Sequence, residues 1–301
     1  MVQASRRQFL QVGAAAGLAV AGVKSFSAAA VASPGPTARR IYTSVKWGMI
    51  AGDAPALEKF RLCREIGLDG MELVSPVDGF TVEEAVAASR ATGMPVHGVV
   101  DMKHWEVRLS DPAAEVRDQG AAILDQAVRD ARALGGDSVL LVPGKVGDTA
   151  ETHDDVWSRS IAGIRRVLPT ASKLGVRILI EPVWNGFCET PELLRDYLDE
   201  INHPWVGCYF DLGNMIKFSP AETWIKRLGS RIVKLDVKDW SPARGFCKIG
   251  DGAVDWPAVR EALDAIDFTG WCTAEVEGGG RAELADVTAR MHRVLGLPAP
   301  G

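Results

Sequence analysis

Short runs of β-branched and apolar residues alternate along this chain with longer stretches whose apolar positions recur at helical spacing. The runs fall at 44–47, 70–73, 96–100, 138–142, 177–180, 206–210, 232–237 and 271–276. Between them, residues 56–66 carry Leu57, Phe60, Leu62 and Ile66 around a charged face. Residues 121–134 set Ile123, Leu124, Ala127, Val128 and Ala131 on one side with charges opposite, the signature of an amphipathic helix. Gly67, Gly93, Gly135 and Gly175 follow helical stretches where a left-handed residue is expected to end the helix. Thr190-Pro191-Glu192 and Ser219-Pro220-Ala221 read as helix starts, with a capping hydroxyl and proline at the first helical position. Eight strand-then-helix repeats over about 260 residues predict a closed (β/α)8 barrel, a TIM barrel of class α/β. An open doubly wound sheet would need a glycine-rich phosphate turn after its first strand, and Trp47-Gly48-Met49-Ile50-Ala51-Gly52 is a poor one. No linker interrupts residues 33–301, which therefore read as one domain.

Composition changes this picture mainly at the N-terminus. The 301 residues include 34 basic and 39 acidic side chains, a net charge of −5, and no long basic run, which argues against a nucleic-acid partner. No apolar stretch is long enough to span a bilayer, so stable membrane insertion is not expected. The chain opens Ser5-Arg6-Arg7-Gln8-Phe9-Leu10, continues uncharged from Val12 to Val23, and reaches the small residues Ala30-Val31-Ala32. A twin arginine before a short apolar run resembles a Tat export signal, so residues 1–32 are expected to engage the Tat machinery and be removed, leaving a periplasmic or otherwise exported domain. Their three basic groups and lack of acids would take the remaining chain from −5 to −8. Five dispersed cysteines, Cys63, Cys188, Cys208, Cys247 and Cys272, suggest buried small hydrophobes rather than a disulfide framework or zinc site.

In a barrel the chemistry gathers at the C-terminal strand ends. The fifth run ends in Glu181-Pro182, the sixth in Asp211-Leu212-Gly213-Asn214, and the eighth in Glu275-Val276-Glu277. The seventh continues Asp236-Val237-Lys238-Asp239. Four consecutive strands thus deliver carboxylates at similar height. Left bare they would repel, and some would stay protonated. A divalent cation resolves that conflict, and an all-oxygen set favours Mg²⁺ or Mn²⁺ over zinc.

Residues 41–295 resemble the xylose-isomerase-like TIM barrels of the sugar (phosphate) isomerase/epimerase superfamily, which includes hydroxypyruvate isomerases, ketose 3-epimerases and hexulose-phosphate 3-epimerases. Three ordered segments carry the resemblance: Glu181-Pro182-Val183-Trp184-Asn185, Tyr209-Phe210-Asp211-Leu212-Gly213-Asn214 and Gly250-Asp251-Gly252-Ala253-Val254-Asp255-Trp256. The resemblance implies metal ligands at Glu181, Asp211, Asp236 and Glu275. One departure stands out: where the family usually has His in a pattern like His-x-Lys-Asp, this chain has Asp236. The surplus charge is expected to be offset by Lys238 or Lys234, two residues away on the same strand face.

The activity implied is proton transfer alpha to a carbonyl, through an enediolate, on a small sugar or keto-acid, with Glu181 and Glu275 as acid and base. Substrate contacts are expected from Trp105 as an aromatic wall and from Asn185, Asn214, Lys238, His97 and Glu72. His97 also reads as a core histidine, and Lys145 as a solvated loop lysine. A lyase or dehydratase on a keto-sugar and a non-catalytic periplasmic sugar-binding protein are the rival readings, and a homo-oligomer is compatible with all of them. The superfamily's phosphodiester-cleaving endonucleases resemble His-rich multi-zinc sites. The five histidines here do not coincide with the four acids.

Overall fold

In this computed structural model, residues 41–147 and 151–300 are described. The proposed export segment lies outside them. The order is β1 (Ile41–Lys46), α1 (Ala56–Glu65), β2 (Gly70–Ser75), α2 (Val82–Thr92), β3 (Val96–Asp101), α3 (Ala114–Leu134), β4 (Ser138–Leu141), α4 (His153–Leu174) and β5 (Arg177–Ile180). It continues with α5 (Pro191–Ile201), β6 (Val206–Asp211), α6 (Leu212–Met215), α7 (Ala221–Leu228), β7 (Ile232–Val237), β8 (Asp239–Ser241) and β9 (Gly245–Cys247). The last elements are α8 (Trp256–Ala265), β10 (Gly270–Ala274) and α9 (Arg281–Leu295). Strands β1 to β7 and β10 form a closed parallel barrel, sealed where Ile41 to Val45 of β1 pair with Gly270 to Ala274 of β10. This is the expected TIM barrel, a single domain of alternating strands and helices.

Local sequence explains most boundaries. Helices α2 and α4 begin with capping boxes, Thr81 with Glu84 and Thr152 with Asp155, each satisfying two orphan amide donors. Thr190 caps α5 with Pro191 in its first turn, as expected. Gly67, Gly93, Gly135 and Gly175 all take positive φ at helix ends. Two expectations need correction. Helix α3 starts at Ala114, seven residues before 121, because its first turns are mostly exposed and carry no apolar stripe to read. Helix α7 starts at Ala221 with Pro220 as its N-cap and no side-chain cap. Ser219 thus lies one residue too early to cap it.

Strand alternation divides the core in two. Val139, Leu141, Ile178 and Ile180 face the surrounding helices and join the large core, whereas Leu140 and Leu179 face inward with Tyr209. That inward apolar cluster is small, and Val100 and Val233 are its other apolar neighbours. The remaining interior is polar, which is unusual for a barrel centre and sets up the site. Cys63, Cys188, Cys208 and Cys272 are buried thiols as expected, and Cys247 is half-buried.

Candidate active site at the barrel mouth

Each acid singled out in the sequence sits at a strand end: Glu181 just after β5, Asp211 ending β6, Asp236 near the end of β7 and Glu275 just after β10. The barrel register sets Asp211 beside Asp236, and Asp236 beside Thr273. One carboxylate oxygen from each of the four lies within 4.8 Å of the others. Glu181, Asp211 and Asp236 are buried, and Glu275 is partly exposed.

Two ammonium groups share this cluster. Lys46 Nζ, from the end of β1, donates to Glu275 Oε1 at 2.7 Å and Asp236 Oδ2 at 3.0 Å. Lys238 Nζ donates to Glu275 Oε2 and lies 3.0 Å from Asp211 Oδ2. The second contact is an ion pair without hydrogen-bonding direction, so Asp211 Oδ2 has no donor; Asp236 Oδ1 has none either. Asp211 Oδ1 accepts from the Asn214 amide at 2.8 Å.

These environments separate the two glutamates. Burial, with the neighbouring Glu275 charge, pushes the Glu181 carboxyl up to about 8. Glu275 is also raised by burial, but Lys46 and Lys238 outweigh that and hold it at about 2. Burial drives Asp236 well above the usual carboxylate range despite Lys46, and likewise raises Asp211. A bound dication would lower the acids that burial raises.

The donor set fits such an ion. All four groups offer oxygen, buried Asp211 and Asp236 oxygens have no hydrogen-bond donor, and four carboxylates against two ammonium groups leave two negative charges. A hard dication such as Mg²⁺ or Mn²⁺ matches both the ligand type and that residual charge.

The flanking motifs are architecture for this cluster. A Cβ on Gly213 would come within 2.8 Å of the Lys238 backbone and side chain, so the Asp211-Leu212-Gly213-Asn214 turn lets Lys238 approach. Asp239 accepts from the Trp240, Gly250 and Val254 amides and from the Trp256 indole, at 2.8–3.2 Å. A Cβ on Gly252 would fall 2.1 Å from Asp239 Oδ1. The Gly250-to-Trp256 segment therefore wraps a buried carboxylate and fixes the strand leading to Lys238.

The expected substrate contacts divide. Trp105, Asn214 and Lys238 line a mouth cavity of about 440 Å³ with Lys46, Glu181 and Glu275. Asn185 does not: its amide is committed to Gly144 O at 2.7 Å and to the Phe187 amide at 3.1 Å, so it holds the loop after β5. His97 stacks on Trp271 with centroids 4.5 Å apart, and its Nε2 meets Ser44 Oγ at 2.8 Å, deep in the barrel. Glu72 is fully buried 4.0 Å from Lys46, with neither oxygen hydrogen-bonded; burial raises its carboxyl.

Lys234 is the clearest correction. Instead of offsetting Asp236 it points toward the other end of the barrel, donating to His97 O, Ser138 Oγ and Asp137 Oδ1 at 2.6, 2.7 and 2.8 Å. Lys46 does the expected compensating, together with Lys238. The signal for Lys46 was present, since it ends a barrel strand; a search of strand ends for cations as well as acids finds it. Sequence reading also missed His104, Trp184 and Phe246 as parts of the mouth wall. Burial drives the His104 imidazole down to about 3, so it is neutral. Phe246 arrives on the β8–β9 hairpin, whose three-residue strands leave no readable periodicity.

Comparison with known proteins agrees with the barrel fold. The family model described as "Xylose isomerase-like TIM barrel" matches residues 60–295. The chain is 27% identical over 259 residues to the L-ribulose-5-phosphate 3-epimerase UlaE of Salmonella paratyphi A, spanning 79% of this chain and 90% of that relative. It is 26% identical over 260 residues, with the same coverage, to the protein of that name from Escherichia coli strain SE11. A solved structure of L-ribulose 3-epimerase superposes with a TM-score of 0.73 at 20% identity, covering 85% of this chain and 95% of that one. The 3-keto-D-glucoside 4-epimerase YcjR of E. coli gives 0.70 at 18% identity, covering 85% and 99%. The chain belongs to the xylose isomerase-like TIM barrel family.

Proposed function

We propose that this protein is a divalent-metal-dependent epimerase or isomerase of a small sugar or keto-acid, acting by proton transfer alpha to a carbonyl. The observation that carries this reading is the convergence of Glu181, Asp211, Asp236 and Glu275 within 4.8 Å, with Glu181 and Glu275 lining a cavity of substrate size. The epimerase relatives named above support it. Those four side chains would hold the ion, which when bound supplies Lewis-acid polarisation of a substrate carbonyl and its neighbouring hydroxyl.

The protein's own part is proton movement. One of Glu181 and Glu275 takes the proton from the carbon next to the carbonyl, and the C–H electron pair moves to form the enediolate, with negative charge on the former carbonyl oxygen. The other glutamate supplies a proton. Return to the opposite face of the same carbon inverts it, and return to the adjacent carbon moves the carbonyl instead. Lys46 and Lys238 add fixed positive charge to a site where an oxyanion develops. Trp105 and Trp184 shield the mouth from water. Asn214 lies at the cavity wall, its backbone amide bonded to Asp211.

The test is the protein with Mn²⁺ or Mg²⁺ and a panel of ketoses in D₂O. Deuterium incorporation at carbon, lost in Glu181→Gln and Glu275→Gln, is the expected result. Sugar binding without exchange, equal in wild type and both variants, would replace this reading with that of a sugar-binding protein. We further propose that residues 1–32 form a Tat-type export signal; an Arg6→Lys/Arg7→Lys variant retained inside the cell is the expected outcome.

A further inference from the structure

Strand β3 lies across the barrel from β7, equally far around the ring in either direction. The four acids come from β5, β6, β7 and β10, so the loop after β3 faces them across the mouth. On that side the cavity wall consists of Val100, Met102 and Leu140 with the rings of His104 and Trp105. Trp105 is 44% exposed and belongs to the rim, whereas His104 is only 7% exposed. A substrate held against the acids therefore turns its far side to an apolar wall with one buried polar ring in it.

The loop that carries this ring is fixed by its own backbone. The Met102 amide donates to Ser75 O at 2.9 Å, and the Val107 amide donates to Lys103 O at 2.8 Å. Asp101 Oδ1 accepts from the Lys103 amide at 3.0 Å. The imidazole is then fixed by the neighbouring strand: the Val142 amide, one residue past the end of β4, donates to His104 Nδ1 at 3.3 Å. Trp105 packs against the ring with centroids 5.4 Å apart and planes at 76°.

This contact decides the tautomer. A backbone amide can only donate, so Nδ1 is the accepting nitrogen and carries no proton. Burial, with the Lys46 charge, keeps the ring neutral, and the single proton of a neutral imidazole then sits on Nε2. No other hydrogen bond is made by this ring among the described residues. Such a group is neither base nor acid here; its chemistry is donation to an oxygen lone pair. It also differs from the ammonium donors of the mouth, which Asp211, Asp236 and Glu275 already hold. Trp184 Nε1 is likewise committed, to Asn214 O at 2.6 Å. An uncharged donor neither competes for the carboxylates nor repels a dication beside them.

We propose that His104 is a substrate-binding residue, donating from Nε2–H to a hydroxyl or carbonyl oxygen of the sugar on the side turned away from the four acids. This rests on the enolising reading of the mouth and adds a specificity contact to it. With the acids on one side and this donor on the other, the sugar is held in one orientation between them.

The experiment has two arms. In the first, protein labelled with ¹⁵N at histidine and loaded with Mg²⁺ is followed by long-range ¹H–¹⁵N spectra, His104 being the ring whose signals vanish in His104→Gln. A proton on Nε2 is expected, with the Nε2 signal moving when a ketose from the panel is added. In the second, deuterium exchange is measured for two variants. His104→Phe keeps a ring but no donor, and should lower kcat/KM by about tenfold or more, the worth of one good hydrogen bond. His104→Gln can accept from the Val142 amide and still donate into the cavity, and should recover most of that loss. A proton on Nδ1 overturns the inference. If a ketose exchanges deuterium while the Nε2 signal stays fixed, or while His104→Phe matches wild type, the inference fails and the epimerase reading stands. If ketoses move the Nε2 signal but none exchanges deuterium, the donor stands and the enolising reading falls. Neither movement nor exchange with any ketose overturns both.

Discussion

Two buried polar clusters occupy the same barrel, and they are satisfied to different degrees. Deep in the barrel, Lys234 meets His97 O, Ser138 and Asp137, while Ser44, His97, Thr273 and Tyr209 bond one another at 2.6–3.3 Å. At the mouth, the carboxylates outnumber their ammonium partners, and Asp211 and Asp236 each keep an oxygen without a donor. A buried polar group left unpaired is costly, so a closed network reads as structure and an open one as a place prepared for a ligand. The contrast predicts that substitutions in the two clusters fail in different ways.

The largest effect should come from the mouth glutamates. Glu275→Gln and Glu181→Gln are expected to lower solvent-hydrogen exchange by about 10²–10⁴-fold, the usual contribution of a positioned acid or base. The Glu181→Gln thermal midpoint should remain near or above wild type, since burial and the Glu275 charge disfavour its ionised form, whereas Glu275→Gln should lie lower because it gives up the pairs with Lys46 and Lys238; calorimetry checks this. The deep cluster should show the reverse. Lys234→Met leaves His97 O and Ser138 Oγ without their donor and should cost about 2–3 kcal/mol in urea unfolding, with Mn²⁺ affinity unchanged. An equal loss of metal affinity in Lys234→Met would erase the distinction between the clusters.

Lys46 sharpens the comparison further. Because its ammonium occupies Asp236 and Glu275, a dication must share those oxygens with it. Lys46→Met should therefore tighten Mn²⁺ binding by about tenfold, within the range seen when groups around a metal's ligands are changed, even as turnover falls. Titration followed by electron paramagnetic resonance of free Mn²⁺ reads this directly, and weaker binding would show that Lys46 supports the metal site instead.

The effect confined to the narrowest range of conditions lies at the rim. Burial lifts the Asp101 carboxyl to about 6 against an ordinary 3.8, and the Lys103 amide only partly offsets it. The folded state then binds the proton more tightly than the unfolded chain, so stability is greater at low pH and falls as pH rises from about 4 to about 6. Asp101→Asn should flatten that fall, which amounts to about 2 kcal/mol because one proton held by the folded state alone changes stability by at most roughly 1.4 kcal/mol for each step of one in pH. A wild-type stability profile flat across that window would contradict the assignment.

The barrel was legible because its strands and helices carry distinct periods, and the acids because a carboxylate ending an apolar strand breaks that strand's own pattern. What remained hidden has a common cause. Lys46 and Lys234 are both lysines in barrel strands, and sequence spacing placed Lys234 beside Asp236 on one strand face. Yet two positions along a strand is also nearly 7 Å of height, enough to set Lys234 in the deep cluster and leave compensation to a strand far away in sequence. Asn185 followed a motif correctly to its location, but position does not reveal whether an amide is already spent on backbone. Phe246 was unreadable because a three-residue hairpin has no period.

The pairing of Lys46 with Glu275 joins residues 229 positions apart, across the seam where β1 meets β10. The four acids all belong to the C-terminal half of the chain, so a half-barrel of β5 to β10 would gather them with Lys238 but without Lys46. Closing the ring therefore does two things at once: it adds the last row of strand hydrogen bonds and delivers a second counter-charge to a crowded mouth. The charge balance of the mouth is thereby tied to the closed ring, with the first strand of the chain acting as the keystone for the last.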